Sequence, residues 1–87
     1  MDEFLEKIKA LEKSSLEFSE YLPTSDPFVS EIASMADSLL INDEGHCNWN
    51  NIEIMSDNKY EVFPIERDRF GWLIGGIQTS KGIIAYG

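Results

Sequence analysis

The stretch Tyr60–Tyr86, YEVFPIERDRFGWLIGGIQTSKGIIAY, holds most of the strand-forming residues of the chain in one piece. Tyr60, Val62 and Pro64 alternate with Glu61, Phe63 and Ile65, the period-2 pattern of a strand. Pro64 has no N–H to give to a ladder, so this strand belongs at a sheet edge or stops there. From Trp72 to Gln78 both faces are apolar: Trp72, Ile74 and Gly76 on one, Leu73, Gly75 and Ile77 on the other. That is the pattern of a central strand covered on both sides. Gly75-Gly76 inside it predicts a bulge or a close approach of another group to the backbone. Thr79-Ser80-Lys81-Gly82 reads as a tight turn, with Gly82–Tyr86 returning as the last strand.

Upstream, the pattern is helical. Phe4, Ile8, Leu11, Phe18 and Leu22 recur at spacings of three and four, with Ser15 in one slot and Leu5 and Leu16 widening the stripe. This predicts a helix from about Asp2 to Glu20, with Glu3 and Glu6 favoured by the dipole of the first turn and a weak point at Ser14-Ser15. Leu22-Pro23-Thr24-Ser25 breaks it. Asp26-Pro27 restarts a helix as N-cap and first helical residue. Phe28, Val29, Ile32, Met35, Ala36, Leu39 and Leu40 then carry its apolar face to about Ile41. His46–Asn51 reads as a loop, Ile52-Glu53-Ile54 as a short strand, and Ser56–Lys59 as a hairpin turn into Tyr60. The predicted fold is a single α+β domain. Residues 1–41 form a helical hairpin, 42–51 a loop, and 52–87 a mainly antiparallel meander of four strands, with both helices on one face of the sheet.

The chain has 87 residues, 43% of them hydrophobic and 11% aromatic, which favours a folded domain. About three-fifths of its extended surface is buried at this length, so a homodimer would be a natural supplement. Cys47 is the only cysteine, which excludes an internal disulfide and makes the cytoplasm the expected compartment. The N-terminus has acids where a signal peptide needs basic residues, and the longest uncharged stretch, Phe70–Ser80, is too short to span a bilayer.

The net charge of −9 is unevenly placed. Residues 1–44 carry eleven acids against three lysines, a balance of −8, and the remainder five acids against Lys59, Arg67, Arg69 and Lys81, a balance of −1. Direct nucleic-acid binding and binding to anionic membranes are disfavoured, because both need a basic footprint. A protein partner with a basic surface is favoured instead.

No motif for a metal or cofactor survives inspection. His46 and Cys47 are adjacent and lack the further ligands that a zinc site needs. Adjacency also rarely lets a histidine reach a neighbouring thiol as its base. Asn42–Glu53 has the first and last residues of a calcium loop but Cys47 where that loop needs glycine. GWLIGG lacks the spacing of a phosphate loop. The candidate partner-binding residues are therefore of two kinds. Glu17, Glu20, Glu31 and Asp37 would form an acidic helical face, and Arg67, Arg69, Phe70 and Trp72 a recognition tip of types enriched at binding hot spots. General acid–base use of Glu66 and Asp68 would need a pocket. The bland readings are a solubilising surface and a solvated hairpin loop.

The tail FGWLIGGIQTSKGII, near a C-terminal glycine, resembles the ends of small accessory proteins of phages and mobile elements. The resemblance covers under a third of the chain and carries no catalytic residue. It implies a host-directed inhibitory role of the kind played by anti-restriction and anti-CRISPR proteins. The expected function is thus a non-catalytic acidic module that engages a basic, nucleic-acid-binding protein. The alternative is a homodimeric structural or regulatory module associating through the sheet edge and the Phe70/Trp72 region.

Overall fold

A computed structural model describes the backbone of residues 1–67 and 73–87, and the side chains of these residues except 64–67 and 73–74. Its elements run α1 (Asp2–Glu12), α2 (Pro27–Leu40), α3 (Trp49–Asp57), β1 (Val62–Arg67), β2 (Leu73–Thr79) and β3 (Gly82–Tyr86). The strands form an antiparallel sheet of order β1-β2-β3. The fold is α+β as the sequence predicts, but with three helices and three strands rather than two and four.

The first difference lies at the end of α1, which stops at Glu12 rather than Glu20. Ser14 Oγ donates to the Leu11 carbonyl at 2.6 Å, and the Lys13 amide is shared between the carbonyls of Lys9 and Ala10. Serine side chains compete with the helix for its own backbone groups, and here they end it. Phe4, Ile8 and Leu11 are fully buried, whereas Phe18 is 73% exposed. The apolar spacing beyond Ser15 was a coincidence: Leu22 is buried, but from an extended strip rather than a helix.

That strip supplies an unforeseen edge to the sheet. Ser19 donates to the carbonyl of Lys81, Ile83 to that of Glu20 and Leu22 to that of Ile83, with a parallel bridge between Tyr21 and Ile83. Residues 19–22 thereby close the free edge of β3. Gly82, at φ +141°, lies against the Ser19 carbonyl, in a space that no Cβ could share.

The start of α2 matches the sequence reading. Asp26 Oδ1 accepts from the amides of Phe28 and Val29 at 2.9 and 3.1 Å, and Pro27 occupies the first turn. The segment read as a strand is α3 instead. Asn48 Oδ1 caps the Asn51 amide at 3.3 Å, and Ile52 and Met55, three residues apart, are its buried pair. Three alternating residues are too few to distinguish a strand from one turn of helix, and the cap with the i,i+3 pair decides. Nor does Ser56–Lys59 form a hairpin turn. Lys59, at φ 69°, ends α3 in the left-handed region, with its amide on the Ser56 carbonyl and that of Tyr60 on Met55. Glycine is usual at this position because it has no Cβ to strain. Lys59→Gly is therefore expected to raise stability by about 0.5–1 kcal/mol, read as a higher urea midpoint at unchanged m-value.

In the sheet, Pro64 sits in the edge strand, as anticipated. The register passes from Phe63↔Gly76 to Glu66↔Ile74, so Pro64 and Ile65 together oppose Gly75. The bulge thus belongs to β1, across from the glycine pair rather than within it. The close approach at Gly75 comes from Tyr86: a Cβ at Gly75 would stand 2.5 Å from that ring. The β2–β3 turn is Ser80-Lys81. Thr79 Oγ1 accepts from the amides of Lys81 and Gly82 and donates to the Gly82 carbonyl.

Residues of the helices and of the sheet share one core. Phe4, Ile8, Leu11, Ile32, Leu40 and Met55 enclose Ile77, Ile84 and Tyr86 in one core. At the end of α1, Glu12 ties that layer to the turn. Its two carboxylate oxygens accept from the Tyr60 hydroxyl at 2.7 Å and from the Ser80 amide at 2.8 Å.

Candidate protein-docking face

Strand period 2 divides the sheet residues between two faces. On β3 Ile84 and Tyr86 point into the core, so Ile83 and Ala85 point away from it. The register sets Gly76 beside Ala85 and Phe63 beside Gly76, and the parallel bridge sets Tyr21 beside Ile83. Tyr21 is 62% and Phe63 39% exposed. With Gly75, Gly76, Ile83 and Ala85 they line a shallow groove of roughly 240 Å3. Gly76 forms its floor. A Cβ there would stand 3.0 Å from Ile83 Cγ2 and 3.2 Å from Phe63 Cδ2, so two apolar side chains close in over bare backbone.

A carboxylate shares the face of this groove. The Glu61 carbonyl accepts from the Gln78 amide, and two-residue spacing puts exposed Glu61 on the same face as Phe63. Exposed Glu20 alternates with Tyr21 and falls on the side of buried Leu22, with exposed Glu17 upstream on the same connection. Lys81, at the turn, is the cation among the described side chains of the outer hairpin.

The candidate residues do not form the expected acidic helical face. Glu17 and Glu20 lie beyond the end of α1, on the connection that meets β3. Glu31 is on α2 and pairs with Lys7 at 2.9 Å. Asp37, six residues further along α2, accepts from the Gly87 amide at 2.6 Å. The two α2 carboxylates thus have partners within the chain, while Glu17 and Glu20 lie on the connection that leads to Tyr21. Arg67 closes β1, opposite Leu73. Asp68, Arg69, Phe70 and Trp72 lie outside the described residues. His46 is exposed, 3.8 Å from Glu44, on a turn where Asn42 Oδ1 accepts from the amides of Glu44 and His46. Cys47 pairs with Ile41 in the short bridge that closes this turn. Among the described residues, no group of three His, Cys, Asp or Glu stands close enough to hold a metal.

Burial shapes the titration of the inner groups. It pushes the Tyr60 hydroxyl up to about 12, with the Glu12 carboxylate adding to the effect. It likewise pushes Tyr86 up to about 12. Partial burial also pushes the Glu12 carboxyl up. The hydrogen bonds from Tyr60 and Ser80 outweigh it and leave Glu12 below the usual carboxylate range. Glu12 and Tyr60 sit where α1 meets the turn, and Tyr86 lies in the core layer against Gly75, its hydroxyl donating to the Phe63 carbonyl at 3.4 Å.

The sequence reading missed Tyr21, Ile83 and Ala85. Tyr21 fell at the break after a supposed helix, and the two β3 residues were read only as part of the last strand. No family model, curated protein or solved structure matches this chain. No helix among the described residues is long and apolar enough to cross a membrane.

Proposed function

We propose that this chain is a non-catalytic protein-binding module whose open sheet face engages a partner with a basic surface. One observation carries the reading: an apolar groove lined by exposed Tyr21 and Phe63, with exposed Glu61 on the same sheet face. Exposed aromatic side chains in a concave apolar patch are typical anchors of protein interfaces. A net charge of −9 selects for a partner of opposite sign and steers its approach. Together with the phage-like tail, this extends the proposal to an inhibitor of a basic, nucleic-acid-handling protein, its carboxylates standing where phosphates would.

Dimerisation through a sheet edge has less support. The β1 edge carries Pro64 and a bulge, two devices that blunt strand addition, and residues 19–22 occupy the edge of β3.

Capture from the lysate of the native host, using the wild-type chain and variants side by side, tests the reading. Tyr21→Ser should lose the specific partner. The pair Glu17→Lys and Glu20→Lys should weaken its binding about tenfold or more and flatten the salt dependence. The pair Glu31→Lys and Asp37→Lys, on α2, should change affinity by less than about threefold, since rim charges far from the contact are worth little. Equal loss from both pairs would make the effect one of overall charge, and an unchanged partner with Tyr21→Ser would remove the sheet face from the proposal.

A further inference from the structure

Resting on that reading, we propose that the side chain received between Tyr21 and Phe63 is an arginine carried on a basic segment of the partner protein. Three properties of the groove point to this residue. Its walls are aromatic, and a guanidinium plane stacks on an aromatic face through both its charge and its shape. Its floor is apolar, formed by Gly76, Ile83 and Ala85, and accepts the aliphatic stem of a long side chain. Exposed Glu61 lies on the same face, two residues before Phe63, so a head group that has crossed the apolar floor meets a carboxylate acceptor there.

Other occupants fit less well. The groove is smaller than the few hundred Å3 or more usual for small-molecule sites, but it has room for one extended side chain. Leucine would fill the floor and leave the Glu61 carboxylate unused. Lysine would reach a carboxylate, but its compact ammonium is strongly hydrated and stacks poorly on the rings. A second copy of this chain would bring another −9 of charge against the first, with the same glutamates opposed.

The test is a titration of the isotope-labelled full chain, followed by amide NMR, with three peptides: Gly-Ser-Arg-Ser-Gly amide and its Lys and Leu counterparts. The arginine peptide should shift the Gly76, Ile83 and Ala85 amides with a Kd in the millimolar range and bind at least about fivefold tighter than either counterpart. Tyr21→Ser, at an exposed position, should abolish the shifts while the rest of the spectrum stays dispersed. Glu61→Gln should weaken binding and reduce its salt dependence. Equal binding of the leucine or lysine peptide at these amides would overturn the arginine assignment and leave the docking face standing. No shift with any peptide would also overturn it, and loss of partner capture by Tyr21→Ser would then show that the face docks something else. Concentration-dependent shifts of the same amides without peptide, together with a doubled native mass, would overturn both readings in favour of a homodimer.

Discussion

Gly82→Ala is expected to lower the unfolding free energy by about 3–4 kcal/mol, a large fraction of what a domain of this size has to lose. Two independent costs meet at this residue. Its φ of +141° is a backbone region that side chains other than glycine's rarely adopt, a strain on the order of 1–3 kcal/mol. The new methyl group would also overlap the Ser19 carbonyl, with the Leu22 side chain 3.3 Å away. A backbone carbonyl cannot turn aside as a side chain can, and this one belongs to a strip held by three main-chain hydrogen bonds. The strip must therefore move as a whole, exposing Leu22 and the edge of β3. Urea unfolding should show the lowered midpoint, and hydrogen exchange should speed most at the amides of Leu22 and Ile83. A loss below about 1 kcal/mol would mean that residues 19–22 are not held against β3.

Glu12→Ala is expected to cost about 2 kcal/mol. Each hydrogen bond to a charged acceptor is worth on the order of 1.5–3 kcal/mol when shielded, and Glu12 accepts two, from Tyr60 and Ser80. Its partial exposure brings the total below their sum. Glu12→Gln should cost less, since one oxygen can still accept a hydrogen bond. The linkage to pH has a definite sign. The folded state depresses the Glu12 pKa, so its contribution is fully present above the unfolded value of about 4.3 and is lost as pH falls through the folded value. Tyr60 behaves oppositely. Its folded pKa is raised to about 12, so its contribution is present below the ordinary value of about 10 and is lost as pH rises toward 12. Wild-type stability should therefore fall on both sides of a plateau, and Glu12→Gln should remove the part of the acid limb due to this residue. An acid limb identical in the two proteins would show that other carboxylates account for it.

Much of this architecture is legible in the residues themselves, wherever a local rule has a single answer. Asp26-Pro27 can start a helix and does little else, and the Ser80-Lys81 turn with Gly82 behind it has one natural pairing. Legibility fails where two local signals share residues. The 3–4 spacing through Ser15 to Leu22 is numerically helical, yet Ser14 takes the Leu11 carbonyl and the chain leaves the helix. Ile52-Glu53-Ile54 alternates like a strand, yet Asn48 caps it as a helix. The site suffered most. Glu17 and Glu20 were recognised as candidates, but their position beside the sheet depends on pairing between distant parts of the chain, which no local pattern encodes. Tyr21 was not singled out because it meets the sheet only through that pairing.

The parallel strip against β3 also bears on the order of folding. The two capped helices and the tight β2–β3 turn consist of contacts between near neighbours, which form early because little chain entropy is lost in closing them. Ser19 against Lys81 joins two widely separated parts of the chain and comes together only after both halves are in place. Substitutions in residues 19–22 should therefore act on the unfolding arm of a chevron plot and leave the refolding arm nearly unchanged, the signature of contacts absent from the transition state. A chain that has folded everything except this strip would display an unpaired strand edge beside an apolar sheet face, which makes seating the strip the step that guards against self-association.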